Sequence, residues 1–237
     1  MEIKIIFDNN VLNEKLISGW GFSCLVDNRI LFDTGEKGEY LFANAKYMGV
    51  DISAIEAVVI SHDHWDHTGG LWDILKLNKG LKVYGCFGFS PIFKEKVNKA
   101  GGTLVESSDF EQIAENIYVT GEIAGRYKDN YIAEQALVVE TEHGLAVVVG
   151  CSHPGIIRIV DKIKDAFPKH KINMLFGGFH MIDKDKREVR IIVEKLKDMG
   201  VEKIGPTHCT GYNAQMLFKQ DYGDNFIFIE AGQVFQV

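Results

Sequence analysis

Residues 54–70 read AIEAVVISHDHWDHTGG, an apolar run leading straight into three histidines and two aspartates between His62 and His67. Residues 54–61 predict a buried strand, with the cluster on the loop at its carboxyl end. His62 and His64, one residue apart, can converge from that loop onto one ion. Asp66 and His67 follow at once, and Thr68-Gly69-Gly70 opens a predicted helix. Imidazole with carboxylate suits zinc, iron or manganese, whereas an all-oxygen set suits magnesium or calcium. One tetrahedral ion cannot accept every side chain of so short a stretch, so the set divides between two metals. The alternative is a run of exposed polar loop residues.

A metal site must close from elsewhere in the chain, which predicts more histidines at other strand ends. His153 follows LAVVVG in GCSHPG, His180 follows INMLF in GGFH, and His208 follows EKIGP in GPTHCTG. Each falls just after a predicted strand, where α/β architectures gather their chemistry. His143, in a hairpin turn, and His170, at a lysine-rich helix end, read as surface residues. Cys151 and Cys209 neighbour His153 and His208. Extended backbone alternates its side chains, so both thiols are expected to pack behind the ligands, with Cys209 as an alternative ligand. Trp65 reads either as core or as a pocket wall.

The remaining pattern alternates strands and helices. IKIIFD (3–8), GFSCLVD (21–27) and RILFDTG (29–35) read as strands, the last two joined by a tight turn at Asp27-Asn28. Helices are expected over 36–48, 71–77 and 89–100, with a strand at 82–85. In the second half, 136–141 and 144–150 form a hairpin, followed by a helix over 156–167 and a strand at 172–177. Apolar positions Val189, Ile192, Val193, Leu196 and Met199 mark a helix face within 185–199. Strands at 202–206 and in the closing FIFIE and QVFQV segments complete the chain. Two mixed sheets with helices outside satisfy this order, as one domain spanning residues 1–237.

The 237 residues suffice for a sizeable core, and 46% hydrophobic with 25% charged content is ordinary for a globular protein. A net charge of −7 argues against an extended nucleic-acid surface. MEIKIIFDNN does not read as a signal peptide, and no apolar run is long enough to span a membrane. Four scattered cysteines without a CxxC pair suit reduced thiols, so a cytoplasmic location is expected. The helix faces show no clear association patch, which leaves the oligomeric state open.

HxHxDH after a strand, LFDTG upstream, GCSH and a late THCTG together resemble the metallo-β-lactamase-fold hydrolase superfamily. The likeness runs from Asp33 to His208 and implies a four-layer αβ/βα sandwich with a two-metal site at one edge. It implies that His62, His64 and His153 hold one metal and that Asp66, His67 and His208 hold the other. Asp33 would orient the histidine loop from behind, a support that metal-bound imidazoles generally need. EQALVVET, GLAVVVGCSHPGI, GGFH and PTHCTG are similar to a branch of dihydropterin-methyl-ribofuranosylaminobenzene-phosphate synthases. The chain departs from the family at FGGFH. Most dinuclear members carry a bridging aspartate where Gly178 stands, and His180 comes two residues later. Either His180 is a substitute ligand or substrate contact, or the second metal is weakly held; the ligand or substrate role is preferred to a purely structural histidine.

The resemblance implies a metal-dependent hydrolase with two divalent ions, zinc foremost and manganese or iron as alternatives. Metal-activated hydroxide would act on a phosphorylated or otherwise anionic small molecule, with Asp66 and His180 in catalytic roles. Without the bridging carboxylate the ligand set leaves a charge of about +3, which favours an anionic substrate. Arg126, Tyr127, Lys128 and Tyr131, in the polar stretch 121–135, are candidate substrate contacts beside His180, although an ordinary surface loop has the same composition. Two alternatives remain: a pterin-type transferase using the same site, and a non-enzymatic metal or redox module. An acidic chain with no room for an inserted RNA-binding domain argues against a nuclease.

Overall fold

The structure, a computed structural model describing residues 1–237, divides into two compact units. The first comprises Met1–Ser108 with Glu230–Val237. Its elements are β1 (Glu2–Phe7), β2 (Ser23–Val26), β3 (Ile30–Phe32), α1 (Gly38–Tyr47), β4 (Ala57–Val59), α2 (Trp65–Thr68), α3 (Leu71–Leu77), β5 (Lys82–Cys86), α4 (Pro91–Ala100) and β6 (Thr103–Ser107). Asp27 and Asn28 both take left-handed angles, φ 51° and 54°, and so make the tight turn between β2 and β3. From β3 to β6 the sheet is parallel, and β3 and β4 are buried along their length. Unbroken apolar runs are what a doubly covered parallel sheet requires. The Ser90 hydroxyl caps α4 by accepting from Phe93 N, Pro91 opens the helix, and left-handed Gly101 closes it.

The second unit, Asp109–Ile229, carries β7 (Glu111–Ala114), β8 (Ile117–Val119), β9 (Ile123–Tyr127), β10 (Asn130–Glu134), β11 (Leu137–Thr141), β12 (Gly144–Val149), α5 (Ile156–Ala166), β13 (Ile172–Gly178), α6 (Lys186–Asp198), β14 (Val201–Thr207) and α7 (Tyr212–Tyr222). Its six-stranded sheet runs β14-β13-β12-β11-β8-β7. Ile159 and Ile163 of α5, Val189 and Val193 of α6, and Phe218 of α7 share one buried cluster with Val147, Leu175 and Ile204 from the strands. Asp185 starts α6 with a capping box: its carboxylate accepts from Arg187 N and Glu188 N, and the Glu188 side chain accepts from Asp185 N. The registers Val149↔Gly177 and Gly178↔Thr207 bring the ends of the parallel strands β12, β13 and β14 level. Whatever follows those strands therefore emerges along one edge. The last strand, β15 (Val234–Gln236), pairs with β1 at the margin of the first unit's seven-stranded sheet.

Several expectations change. The stretch 121–135 contains an antiparallel hairpin, β9–β10, with Arg126 opposite Tyr131 and left-handed Lys128 and Asp129 at its turn. FIFIE (226–230) forms no strand beyond an isolated bridge of Phe226 to Ile204, because only Ile227 N finds a ladder partner there. Helix α7 was not expected, although its buried residues Ala214, Phe218 and Tyr222 recur at a spacing of four. No helix is long and apolar enough to cross a membrane.

Candidate metal centre

In the first unit the histidine loop is held by its backbone and by one carboxylate. Thr34 N and Thr34 Oγ1 both donate to His67 O, at 2.9 and 2.8 Å, and Gly69 N donates to Gly35 O at 2.9 Å. Asp33 is fully buried beneath the loop. Its Oδ1 accepts from Ser61 N and its Oδ2 from Ser61 Oγ, both at 2.7 Å, and Oδ2 lies 2.6 Å from His67 Nδ1. Ser61 Oγ is also 2.8 Å from His62 Nδ1, so one carboxylate sets the rotation of two imidazoles. Burial pushes the Asp33 carboxyl above its ordinary value, although His67 and Ser61 oppose that rise. With Nδ1–H of His67 given to Asp33, its Nε2 carries the lone pair. That nitrogen is 3.6 Å from Asp66 Oδ2, close to the roughly 3.4 Å that two ligands of one tetrahedral zinc span at ordinary bond lengths. The His62 ring packs against those of His64 and His67, with centroids 4.7 and 4.2 Å apart. Trp65, 60% exposed, is not core; it lines a cleft with Trp72, Ile92 and Phe93.

The second unit repeats this design with a residue the sequence did not single out. Glu134, buried at the end of β10, receives four hydrogen bonds. Its Oε1 accepts from Cys151 N at 2.9 Å and Ser152 N at 2.6 Å, while its Oε2 accepts from His153 N at 2.7 Å and faces His153 Nδ1 at 2.9 Å. Burial alone would raise the Glu134 carboxyl, but the His153 side chain and the backbone N–H groups outweigh it and hold the group below its ordinary value. This fixes His153 with Nε2 as its lone-pair nitrogen, as a metal ligand requires.

Ser152, His180 and His208 all adopt left-handed backbone, φ 63°, 50° and 51°. Such angles cost a non-glycine residue about 1–2 kcal/mol each and collect at functional sites. They also overturn the expected alternation, because the chain around these residues is not extended. The donor atoms of Cys151, His153 and His180 lie within 4.8 Å of one another, as do those of Cys151, His208 and Cys209. The His153 and His180 rings are 4.6 Å apart, and the Nδ1 of His180 is buried without a hydrogen bond. A side-chain hydrogen bond with Cys209 pushes the His180 imidazole above its ordinary value, burial opposes it, and the charge of the Cys209 sulfur adds to the rise. Imidazole and sulfur donors gathered this closely fit a transition-metal site and do not fit magnesium or calcium.

A cleft of about 500 Å³ opens in the second unit on His153 and His180, with Arg126 and Lys184 among its walls. Tyr127 sets its ring edge-on to both histidines, with centroids 5.3 and 5.8 Å away. Lys128 sits at the hairpin turn, its Nζ 5.2 Å from the Tyr127 ring centre. Tyr131 is exposed and hydrogen-bonded through its hydroxyl to Glu122. His143 is exposed, and His170 pairs with Glu140 at 3.0 Å.

A family profile described as the metallo-beta-lactamase superfamily matches residues 24–85. The chain is 33% identical to the 7,8-dihydropterin-6-methyl-4-(beta-D-ribofuranosyl)-aminobenzene-5'-phosphate synthase of Methanocaldococcus jannaschii, over 88% of this chain and 84% of that protein. Among solved structures it is similar to Tm1679, a metal-dependent hydrolase of the beta-lactamase superfamily, with a TM-score of 0.84 and 30% identity, covering 100% of this chain and 99% of the other. YhfI of Bacillus subtilis, a metallo-beta-lactamase fold protein, shares the fold at a TM-score of 0.71 and 15% identity, with 99% of each chain covered.

Proposed function

Since the chain belongs to the metallo-β-lactamase superfamily, we propose that it is a metal-dependent enzyme acting hydrolytically on a phosphorylated or otherwise anionic small molecule. In this reading His62, His64 and His153 hold one divalent ion, and Asp66, His67 and His208 hold a second. Zinc is the first choice, with iron or manganese as alternatives. When bound, such ions supply Lewis acidity and lower the pKa of water towards about 7.

The chain's own residues do the rest. Asp33 and Glu134 lock His67 and His153 in the tautomer that presents Nε2. Asp66 orients the attacking water. His180, at the cleft wall, donates to the anionic group of the substrate, and Arg126 balances its remaining charge, while Lys184 is paired with Glu188 at 3.8 Å.

The observation that carries this reading is the close grouping of the Cys151, His153 and His180 donor atoms beside a cleft whose walls hold Arg126 and Lys184 together with Asp183 and Glu188. Metal analysis, with turnover of bis-p-nitrophenyl phosphate by the wild type and by the His62→Ala and Asp66→Ala variants, tests it. About two ions per chain, and activity lost in both variants, is the expected result. A chain purified gently without bound metal would sink the reading.

A second reading, transfer chemistry on a pterin diphosphate, is favoured by the 33% identity to the synthase. Turnover seen only with a pterin diphosphate and an arylamine phosphate together would replace the first reading with this one.

A further inference from the structure

Gly178 stands where dinuclear relatives are expected to carry a bridging aspartate, and the structure leaves no space for any side chain there. A Cβ on Gly178 would run into Gly150 O, would lie 2.7 Å from Cys209 Sγ, and would come within 3.3 Å of Cys151 Cα. The bridge is therefore not merely absent. Its volume is taken by the backbone of the strand end before Cys151 and by a thiol.

The Cys151 sulfur near that volume belongs to more than one group of candidate donors at once. Cys151 Sγ lies within 4.8 Å of the donor nitrogens of His153 and His180, and separately within 4.8 Å of the donor nitrogen of His208 and the sulfur of Cys209. His153 and His208 are the second unit's ligands to the two different metals in the reading above. A bridging ligand must lie near both, and Cys151 Sγ does. Cys151 is buried, and Glu134 fixes its backbone by accepting from Cys151 N at 2.9 Å. Left-handed Ser152 then turns the chain so that Cys151 and His153 face the same region.

We propose that the thiolate of Cys151 bridges the two metal positions in place of the missing aspartate. The inference rests on the dinuclear reading above. On binding, the S–H bond breaks, the proton leaves to solvent, and the sulfur lone pairs form one bond to each ion. A thiolate carries the same single negative charge as the carboxylate it replaces, so the centre falls from about +3 to about +2 before water binds. It also biases the site towards zinc or iron and away from manganese and magnesium, because sulfur is a soft donor.

Cobalt(II) reports this without reference to turnover, since a cobalt–thiolate bond gives an intense near-ultraviolet charge-transfer band. The full chain, stripped of metal, is titrated with cobalt while cobalt content and the band are followed together. Two cobalt ions per chain are expected, with the band growing over both equivalents and about twofold stronger at the second. Cys151→Ser should lose the band, and Cys209→Ser should keep it. Two bound cobalt ions without a band would overturn the bridge and leave the dinuclear reading standing. A band that grows over only one equivalent, or that disappears in Cys209→Ser, would also overturn it. Failure to bind cobalt would remove both. Should Cys151→Ser not fold, the wild-type titration still decides, together with sulfur scattering in the cobalt absorption edge.

Discussion

The carboxylate of Glu134 and the Nδ1 of His153 lie 2.9 Å apart, both side chains buried, and the same carboxylate ties down the backbone of residues 151–153. Glu134→Gln keeps one acceptor oxygen and turns an amide NH₂ towards donors. Leaving buried donors unmet costs about 1–3 kcal/mol, and losing the support of a ligand histidine weakens metal binding about 10- to 100-fold. Urea unfolding in chelator and a separate metal titration measure the two effects. Wild-type values in both would remove Glu134 from the site.

The same pair gives a pH dependence. Because folding lowers the Glu134 pKa, its stabilisation is present above the unfolded carboxylate value of about 4.3 and is lost as pH falls through the lower folded value. In chelator, the stability gap between wild type and Glu134→Gln should be widest near neutrality and shrink on acidification below about pH 4. A gap constant from pH 7 to pH 3 would contradict this.

Gly178→Ala brings a methyl group against Gly150 O and Cys209 Sγ. Overpacking of this kind costs about 1–3 kcal/mol. The double variant with Cys209→Ala should recover only part of the loss, since the backbone contact stays. Chemical denaturation of the single and double variants settles the point; full recovery would show that the thiol alone excludes the side chain.

Arg126→Ala removes a cation from the cleft wall and changes none of the proposed metal ligands. A charge-assisted hydrogen bond to an anion contributes about 1.5–3 kcal/mol, so KM should rise about tenfold or more with metal content unchanged. An unaltered KM on every anionic substrate turned over would place the substrate elsewhere.

Asp185→Ala should behave oppositely. It dismantles the capping box of α6 and costs about 1 kcal/mol of stability, with metal affinity untouched. Thermal melting and metal titration of the same sample would show the separation.

The candidate ligand histidines were legible as positions because each follows an apolar run, and strand ends that lie level in the sheet emerge along one edge. Glu134 was not legible. It stands 19 positions before its partner His153, and no local spacing links a lone carboxylate to an imidazole that far along the chain. The hairpin β9–β10 hid for another reason. Its exposed positions carry Ala124, Arg126, Asn130 and Tyr131, so the apolar alternation that marks a strand is weak. Helix α7 carries only Ala214, Phe218 and Tyr222 as buried residues over its eleven positions, so its apolar face is sparse. The positions of Cys151 and Cys209 depend on left-handed turns at Ser152 and His208, which nothing in those side chains announces.

The left-handed backbone at Asp33, Ser152, His180 and His208 also constrains how this centre can evolve. Such angles admit glycine, asparagine, aspartate and histidine readily and exclude the β-branched residues. A random substitution that the backbone accepts at these four places is thus disproportionately one that brings an oxygen or nitrogen donor. The centre is free to exchange one donor for another while its scaffold resists becoming an inert apolar patch.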